Sequence, residues 1–322
     1  MQNKPIPVSI ISGFLGAGKT TFINHLLKEN PSIKFAIIEN EYGEQSIDNQ
    51  LIKAKSDTIL EINHGCICCT LNENLVQTLN HLLNNYTFDH LIIETTGIAE
   101  PSGVVAPFLI YHQLKQNFII SNVIVIVDGY NLEEILAETD LAARQIAFAD
   151  ILIINKLDLI TPSKAIEIES ILKTLNPDAK IVFCEYGKIP NLEIFLTKKN
   201  SIFNMNQFHH EHYEHSHEHL HTHQHPYNSV YIEESKPLDI IKFQHWMNMM
   251  LQIQYGRIYR VKGWVKFYGF EHALLFQSVG KQFVLDKTAL YPEKNLTQLV
   301  FIGLALEKQK IEKIIKNLVY KT

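Results

Sequence analysis

The stretch Gly13–Thr21 reads GFLGAGKTT and follows the apolar run Val8–Ile11. It fits the pattern G-x-x-x-x-G-K-[ST], whose glycines let backbone N–H groups turn towards phosphate oxygens. In this pattern Lys19 neutralises the β and γ phosphates, and Thr20 offers its hydroxyl to Mg²⁺. The stretch therefore predicts a strand, a phosphate-binding loop and a helix that begins near Thr20.

Apolar runs like the one before this loop recur along the first 195 residues. They are nearly continuous rather than alternating, which is typical of parallel strands covered by helices on both faces. The predicted strands are Val8–Ile11, Phe35–Ile38, His90–Ile93, Val123–Val127, Ile151–Ile154 and Lys180–Phe183. Helical periodicity occurs in Thr20–Glu29, Leu71–Asn84, Leu141–Ala149 and Ser163–Leu175. We expect a doubly wound α/β domain with a mostly parallel sheet, which binds ligands at the carboxyl ends of its strands.

The pattern changes near Lys198, and residues 209–225 read HHEHYEHSHEHLHTHQH. Imidazoles at this density bind Zn²⁺, Ni²⁺ or Co²⁺ with modest selectivity, so the tract is expected to load or buffer metal. Further strand and helix patterns follow at Ser229–Ile232, Leu238–Leu251, Arg257–Phe267, Ala273–Val279, Gln282–Leu285, Leu299–Leu304 and Glu307–Leu318. We expect a P-loop nucleotide-binding domain in residues 1–197, a His-rich linker in 198–228 and a small α+β domain in 229–322.

The composition is that of an ordinary soluble globular protein. It is 46% apolar and 20% charged with a net charge of -5, and no basic patch indicates a nucleic-acid partner. No apolar stretch approaches the roughly 18 residues of a membrane-spanning helix, so we expect a cytoplasmic protein without a membrane partner. Three of the four cysteines lie within Cys66–Cys69, too close together for disulfide bonds among them to link distant parts of a fold. Metal binding or redox chemistry is the better interpretation, whereas Cys184 is expected at a buried strand end.

A second nucleotide motif, NKLD, occupies Asn155–Asp158 directly after a predicted strand. Asp158 can accept hydrogen bonds from the N1–H and N2 amino groups of guanine, a donor pair that adenine lacks. Asn155 is expected to tie this loop to the phosphate loop, and the stem of Lys156 to lie along the base. In this position the motif favours GTP over ATP, although an Asp after a strand also serves simply as a helix cap.

A third motif, ETTG, ends the predicted strand His90–Ile93. Glu94 stands where an acid would hold or orient the Mg²⁺ shell, and the amide of Gly97 where it would sense the γ-phosphate. The simpler alternative is that Glu94 caps the following segment. Asp128 also ends a strand, either as a site residue or as a turn residue before Gly129.

The thiol cluster CICC supplies candidate metal ligands. Cys66 and Cys68 point the same way if the backbone is extended, and Cys69 lies at the entry to a helix. The positive end of that helix lowers the pKa of a thiol and favours the thiolate that ligates a metal. The alternatives are a small buried thiol cluster or a redox pair.

Three thiols within four residues are hard to place around one tetrahedral ion, so further ligands are required. One candidate is His64, and others are the acids of the ENEYGE segment, Glu39, Glu41 and Glu44. Loops after the second strand respond to nucleotide in this fold, so these acids are positioned to touch either Mg²⁺ or the thiol-bound metal. A solvated run of charges is the alternative.

Taken together, GFLGAGKTT, ENEYGE, NHGCICC, ETTG and NKLD resemble, in this order, the motifs of the CobW-type family of P-loop GTPases. That family includes zinc metallochaperones and proteins tied to cobalamin synthesis and nitrile hydratase activation. The resemblance implies that Asn155 and Asp158 bind guanine and that Cys66, Cys68 and Cys69 bind metal, with Glu39 and Glu44 as accessory ligands. It also implies a nucleotide-dependent homodimer. The residues implied to bind phosphate are Gly13, Gly16, Ala17, Gly18, Lys19, Thr20 and Thr21.

These observations lead to three hypotheses. The first is a slow GTPase that uses Mg²⁺, binds Zn²⁺ or a similar divalent metal ion at CICC, and passes it to a client metalloprotein. The second is an insertion factor for a cobalt or iron enzyme or for the cobalamin pathway. The third is a metal store in which the nucleotide site is only structural. Cys, His and Glu ligands suit several divalent ions, so Co²⁺ and Ni²⁺ stay open beside Zn²⁺.

Overall fold

The computed structural model describes residues 5–41, 59–65, 71–189, 193–196, 226–254, 256–286 and 294–321. The chain divides into two compact units, Met1–Leu172 with Ala179–Lys199 and Lys173–Asp178 with Asn200–Thr322. Among the described residues, none of the helices is both long and apolar enough to span a bilayer.

The first unit is built on a seven-stranded sheet whose neighbouring strands are all parallel. The strands are β1 Ile6–Ser12, β2 Phe35–Glu41, β3 Ile59–Gly65, β4 His90–Glu94, β5 Phe118–Asp128, β6 Ile151–Asn155 and β7 Lys180–Phe183. They lie in the order β3-β2-β4-β1-β5-β6-β7. All six predicted strands are present and the doubly wound α/β fold is confirmed. Strand β3 is not among the predicted ones.

Helices connect these strands. They are α1 Lys19–Glu29, α2 Leu71–Asn85, α3 Pro101–Ile110, α4 His112–Asn117, α5 Leu132–Glu138, α6 Asp140–Phe148, α7 Pro162–Leu175 and α8 Glu193–Leu196, with a short 3₁₀ helix at Leu157–Leu159. Helix α3 escapes prediction because Pro101, Gly103 and Pro107 weaken its helical pattern. Pro101 is tolerated in the first turn, where its missing N–H would have no partner in the helix. Burial of Val104 and Phe108 stabilises the helix against its poor propensity.

Helix α1 is fixed to the sheet by its apolar face. Phe22 and Leu26 are fully buried in one cluster with Ile11 of β1 and Ile126 of β5. Strand residues at alternate positions, such as Ile10, are also fully buried, so helices cover both faces of the sheet. As a result, the N-terminus of α1 is held at the carboxyl end of β1.

A buried polar network joins the strands beneath this helix. The Oγ of Ser9 lies 2.9 Å from Nε2 of His90 and donates to the carbonyl of Phe195 at 2.9 Å. Because Ser9 has a single hydroxyl proton, Nε2 of His90 is the donor towards Ser9. Asn122 donates to the same Phe195 carbonyl at 3.3 Å. The network anchors α8 on β1 and β5. The ring of Phe195 also packs edge to face against the ring of Phe22 of α1, with 5.2 Å between the ring centroids.

His90 makes the stability of the protein depend on pH. Burial lowers the pKa of His90 from 6.5 to about 4. Between these two values the unfolded chain binds a proton that the folded chain does not, so the free energy of unfolding rises with pH across this window. We expect a loss on the order of 3 kcal/mol once the pH falls below about 4. Urea midpoints measured from pH 4.5 to 7 should show a flatter slope for His90→Gln than for the wild type. Equal slopes for the two proteins would contradict the lowered pKa of His90.

The second unit is a five-stranded antiparallel sheet in the order β11-β10-β9-β12-β8. Its strands are β8 Tyr227–Glu234, β9 Ile258–Val265, β10 Leu274–Val279, β11 Gln282–Asp286 and β12 Thr297–Leu304, and its helices are α9 Ile240–Ile253 and α10 Lys308–Asn317. Phe243 and Met247 of α9 share one core cluster with Ile315 of α10 and with Phe276 and Phe301 of the sheet. The predicted small α+β architecture is confirmed.

Candidate nucleotide and metal site

The loop between β1 and α1 has the backbone of a phosphate-binding loop. Gly13, Gly16 and Gly18 all have positive φ angles. A Cβ on Gly18, whose φ is 105°, would lie 2.4 Å from Nδ2 of Asn155, so a side chain is excluded by both conformation and space. The loop delivers the chain directly to the N-terminus of α1, where helix N–H groups and the helix dipole favour an anion.

Lys19 and Thr20, which the sequence predicts as catalytic residues, are the first two residues of this helix. Lys19 is only 9% exposed, and its Nζ donates to the carbonyls of Gly13 at 3.0 Å and Phe14 at 3.4 Å. Its charge therefore lies inside the loop. The hydroxyl of Thr20 donates to Oε1 of Glu94, at the end of β4, at 3.4 Å. This places a hydroxyl and a carboxylate side by side at the carboxyl edge of the sheet.

Asn155 links the NKLD segment to the phosphate loop. Its Nδ2 donates to the carbonyl of Ala17 at 2.9 Å. Its Oδ1 accepts from the backbone N–H of Gly187 and from the thiol of Cys184, both at 3.2 Å. Burial raises the pKa of Cys184 to about 11, which keeps this thiol protonated as a donor. Asn155 thus joins three loops at the end of β6.

Lys156 has a left-handed backbone, with φ 64°, and its Nζ lies 2.7 Å from Oδ2 of Asp128. Asp128 is buried and also accepts from the backbone of Tyr130 and from Asn131, so it acts as a turn residue and as the partner of Lys156. Burial pushes the pKa of Asp128 up, but hydrogen bonds from Lys156 and Asn131 outweigh this and hold it below its usual value. The ion pair fixes the stem of Lys156 beside the NKLD loop.

Asp158 lies in the 3₁₀ helix after β6 and is exposed. A hydrogen bond with Asp158 raises the pKa of the Tyr186 hydroxyl, which reaches it from the loop after β7. In that loop Tyr186 and Gly187 both have positive φ, and the N–H of Lys188 donates to the carbonyl of Glu185 at 2.9 Å. This tight turn brings its residues to both Asn155 and Asp158.

Backbone register places the acidic end of β2 between β4 and β3. In β2, Glu39 lies opposite Glu94 of β4 on one side and opposite Asn63 of β3 on the other. Glu39 is 5% exposed. Strand β3 ends at Gly65, directly before the thiol cluster. The predicted ligands Cys66, Cys68, Cys69 and Glu44 and the tract at 209–225 lie outside the described residues.

Two features of this site are missing from the sequence prediction. The turn at Tyr186–Gly187 has only a weak signal, a Tyr-Gly pair after the strand that ends before Cys184. The amide of Gln145 on α6 donates to the carbonyls of Gly97 and Ala99 after β4, and nothing in the sequence pattern indicates this contact. In the described part of the chain, groups of three or more His, Cys, Asp or Glu side chains arranged to hold a metal do not occur.

The residues present fit a nucleoside triphosphate with Mg²⁺. A buried ammonium group and a glycine loop at a helix N-terminus match phosphate oxygens. The Thr20 hydroxyl beside the Glu94 carboxylate supplies the oxygen donors that Mg²⁺ prefers. The arrangement supports hydrolysis or transfer of a terminal phosphoryl group.

Two family profiles match the chain. One, described as "CobW/HypB/UreG, nucleotide-binding domain", matches residues 7–183. The other, described as "Cobalamin synthesis protein cobW C-terminal domain", matches residues 227–319. The two matches together cover most of each compact unit.

Individual proteins are also similar. The zinc chaperone YjiA of Escherichia coli (strain K12) is 31% identical over 318 residues, which are 95% of this chain and 96% of YjiA. Zinc-regulated GTPase metalloprotein activator 1 of Dictyostelium discoideum is 31% identical over 229 residues, which are 60% of this chain and 48% of that protein. The crystal structure of Zn(II)-bound YjiA GTPase from E. coli is 28% identical, with a TM-score of 0.67 over 98% of this chain and 100% of that chain.

Proposed function

The chain belongs to the CobW/HypB/UreG family of nucleotide-binding proteins, and on this premise we propose that it is a GTPase that binds Zn²⁺ at CICC and delivers it to a client metalloprotein. Its similarity to a zinc chaperone and to a GTPase metalloprotein activator supports this proposal. In this proposal residues 1–197 form the GTPase domain, 198–228 a His-rich linker and 229–322 the C-terminal domain.

The nucleotide chemistry is assigned to residues at the carboxyl edge of the sheet. Water attacks the γ-phosphorus, the bond to the β–γ bridging oxygen breaks, and GDP and phosphate leave. Lys19 stabilises the negative charge that develops on the phosphate oxygens. Mg²⁺, when bound, neutralises phosphate charge, with the Thr20 hydroxyl as its protein ligand and Glu94 orienting its waters. Asn155 holds the guanine loop against the phosphate loop, and Asp158 selects guanine.

One observation carries the proposed link to metal, namely that β2 lies between β4 and β3. Glu39 of β2 is opposite Glu94, which faces the nucleotide side, and opposite Asn63, three residues before Cys66. A shift of β2 in response to the γ-phosphate would therefore be felt by the strand that leads into the thiols. If metal affinity differs between the GTP and GDP states, metal must change nucleotide affinity by the same factor.

The test is the Zn²⁺ affinity of a variant lacking residues 209–225, measured against a chromophoric chelator with GDP and with a non-hydrolysable GTP analogue. Removing the imidazole tract isolates the CICC site. We expect the two affinities to differ by about 5- to 150-fold, the usual range of coupling between two sites. Adding Cys68→Ala to this variant should abolish the tight Zn²⁺ site and leave GDP affinity unchanged.

Other outcomes would support other functions. Equal Zn²⁺ affinity in both nucleotide states would contradict the proposal and indicate a metal store with a structural nucleotide site. Tighter binding of Co²⁺ than of Zn²⁺ under the same competition would favour an insertion factor for a cobalt enzyme. Parallel loss of GDP and Zn²⁺ binding in Cys68→Ala would show that the two sites are not separate.

A further inference from the structure

Gln145 makes two long-range hydrogen bonds from the centre of helix α6. Its Nε2 donates to the carbonyl of Gly97 at 3.1 Å and to the carbonyl of Ala99 at 3.0 Å. The side chain is only 1% exposed. Both protons of the amide nitrogen are therefore directed at one short segment that lies more than forty residues earlier in the chain. When its acceptors move away, a buried donor of this kind costs much more free energy than an exposed one, because no water can replace the lost hydrogen bonds.

The segment that Gln145 holds, Thr96–Ala99, also touches the phosphate loop. A Cβ on Gly97 would lie 2.6 Å from the backbone nitrogen of Leu15, so the two backbones are in direct contact. Directly before the segment, the N–H of Thr95 donates to the carbonyl of Ile11 at 2.9 Å. The end of the segment closes a turn in which the N–H of Ala99 donates to the carbonyl of Thr96 at 3.0 Å. The phosphate loop thus supports the segment on one side, and Gln145 supports it on the other.

A second contact from α6 reinforces this arrangement. Arg144, the neighbour of Gln145, lies 3.5 Å from the carboxylate of Glu100, directly after the segment. Helix α6 packs on β5, and its first turn, well before Gln145, is capped by Thr139, which accepts from the N–H of Leu141 at 3.2 Å. Two neighbouring side chains of one helix therefore hold this segment and the residue that follows it.

We propose that Gln145 is a positioning residue for GTP hydrolysis, which holds the Gly97 backbone in register with the γ-phosphate. This inference rests on the proposed function, since it takes the segment after β4 as the one that senses the terminal phosphate. Gln145 acts through the backbone carbonyls of Gly97 and Ala99 and touches no reacting atom. GDP has no γ-phosphate, so its affinity does not depend on this segment. Loss of the amide donors therefore affects GTP far more than GDP.

The test compares Gln145→Met, which keeps the side-chain volume but has no donor, with Gln145→Glu, which keeps the shape but offers a carboxylate to two carbonyls. In the full-length protein we expect kcat for GTP hydrolysis to fall about 10- to 100-fold in both variants, as displaced positioning groups typically cause. Affinity for a non-hydrolysable GTP analogue should fall several-fold, while GDP affinity stays within about twofold of the wild type.

Thr139→Ala is the matched control, because it weakens the same helix without removing a contact to the Gly97 segment. It should lower thermal stability and leave kcat and both nucleotide affinities unchanged. An unchanged kcat in Gln145→Met would overturn the proposal, and so would an equal loss of GDP and GTP-analogue binding, which indicates a purely structural role. A wild-type protein that neither binds GDP nor hydrolyses GTP would instead refute the proposed function itself.

Discussion

Replacing Lys19 by alanine is expected to lower kcat for GTP hydrolysis by about 10²- to 10³-fold, the usual cost of losing one preorganised charge-stabilising donor. The ammonium group lies inside the glycine loop, where it donates to the carbonyls of Gly13 and Phe14. The other lysine of α1, Lys28, lies in the last turn, at the opposite end of the helix. GDP affinity should also fall, since Lys19 is proposed to neutralise the β-phosphate as well. Steady-state phosphate release and fluorescent GDP titration measure the two effects.

The matched control for this variant is Lys28→Ala in the last turn of the same helix, where the side chain is exposed. It removes one positive charge and leaves the loop intact, so kcat should stay within about twofold of the wild type, as surface substitutions usually allow. A Lys19→Ala protein that folds with a normal thermal midpoint and keeps wild-type turnover would show that the phosphate loop is misassigned.

Replacing Asp158 by asparagine is expected to weaken GDP binding by about 10²- to 10⁴-fold, because two hydrogen bonds to a charged group are worth roughly 1.5 to 3 kcal/mol each. In the proposed site the carboxylate accepts from N1–H and from the N2 amino group of guanine, whereas asparagine would present a donor where that amino group needs an acceptor. Xanthine carries a carbonyl at the same position. Affinity for xanthosine diphosphate should therefore rise in Asp158→Asn as affinity for GDP falls.

Glu185→Gln is the control for this change of base preference. Glu185 is exposed and adjacent to Tyr186, so the variant removes a nearby negative charge without touching the base-recognising carboxylate. Its ratio of GDP to xanthosine diphosphate affinity should equal that of the wild type. If Asp158→Asn weakens both nucleotides equally, Asp158 supports the loop and does not read the base.

The parallel sheet could be predicted because its buried strands are short and continuously apolar, as in Ile151–Ile154 and Val123–Val127. Strand β3 was harder to recognise, since Glu61 interrupts its apolar residues Ile59, Leu60 and Ile62. Helix α3 shows the opposite difficulty. Its prolines and glycine argue against a helix, and only burial against the sheet, which no local pattern shows, outweighs them.

The candidate site divides in the same way. Gly13, Lys19, Asn155 and Asp158 could be proposed from the sequence because phosphate and guanine recognition require particular residue types at fixed spacings. Gln145 could not be proposed in this way, because its role depends on a contact with a segment that is distant in sequence. Many other glutamines could make such a contact as far as the sequence shows. Motifs identify groups that meet a ligand, whereas supporting contacts become visible only when the chain is folded.

The order of the strands also makes the sheet unequal in stiffness. Strand β1, which leads into the phosphate loop, is hydrogen-bonded to β4 on one side and β5 on the other. Strand β3, which leads into CICC, stands at the end of the described sheet and is held by β2 alone. Displacing β1 breaks two ladders of hydrogen bonds, and displacing β3 breaks one. In mechanical terms the strand before the phosphate loop is held at the centre of the sheet, whereas the strand before the thiols lies at an edge, so the same force displaces β3 more easily than β1.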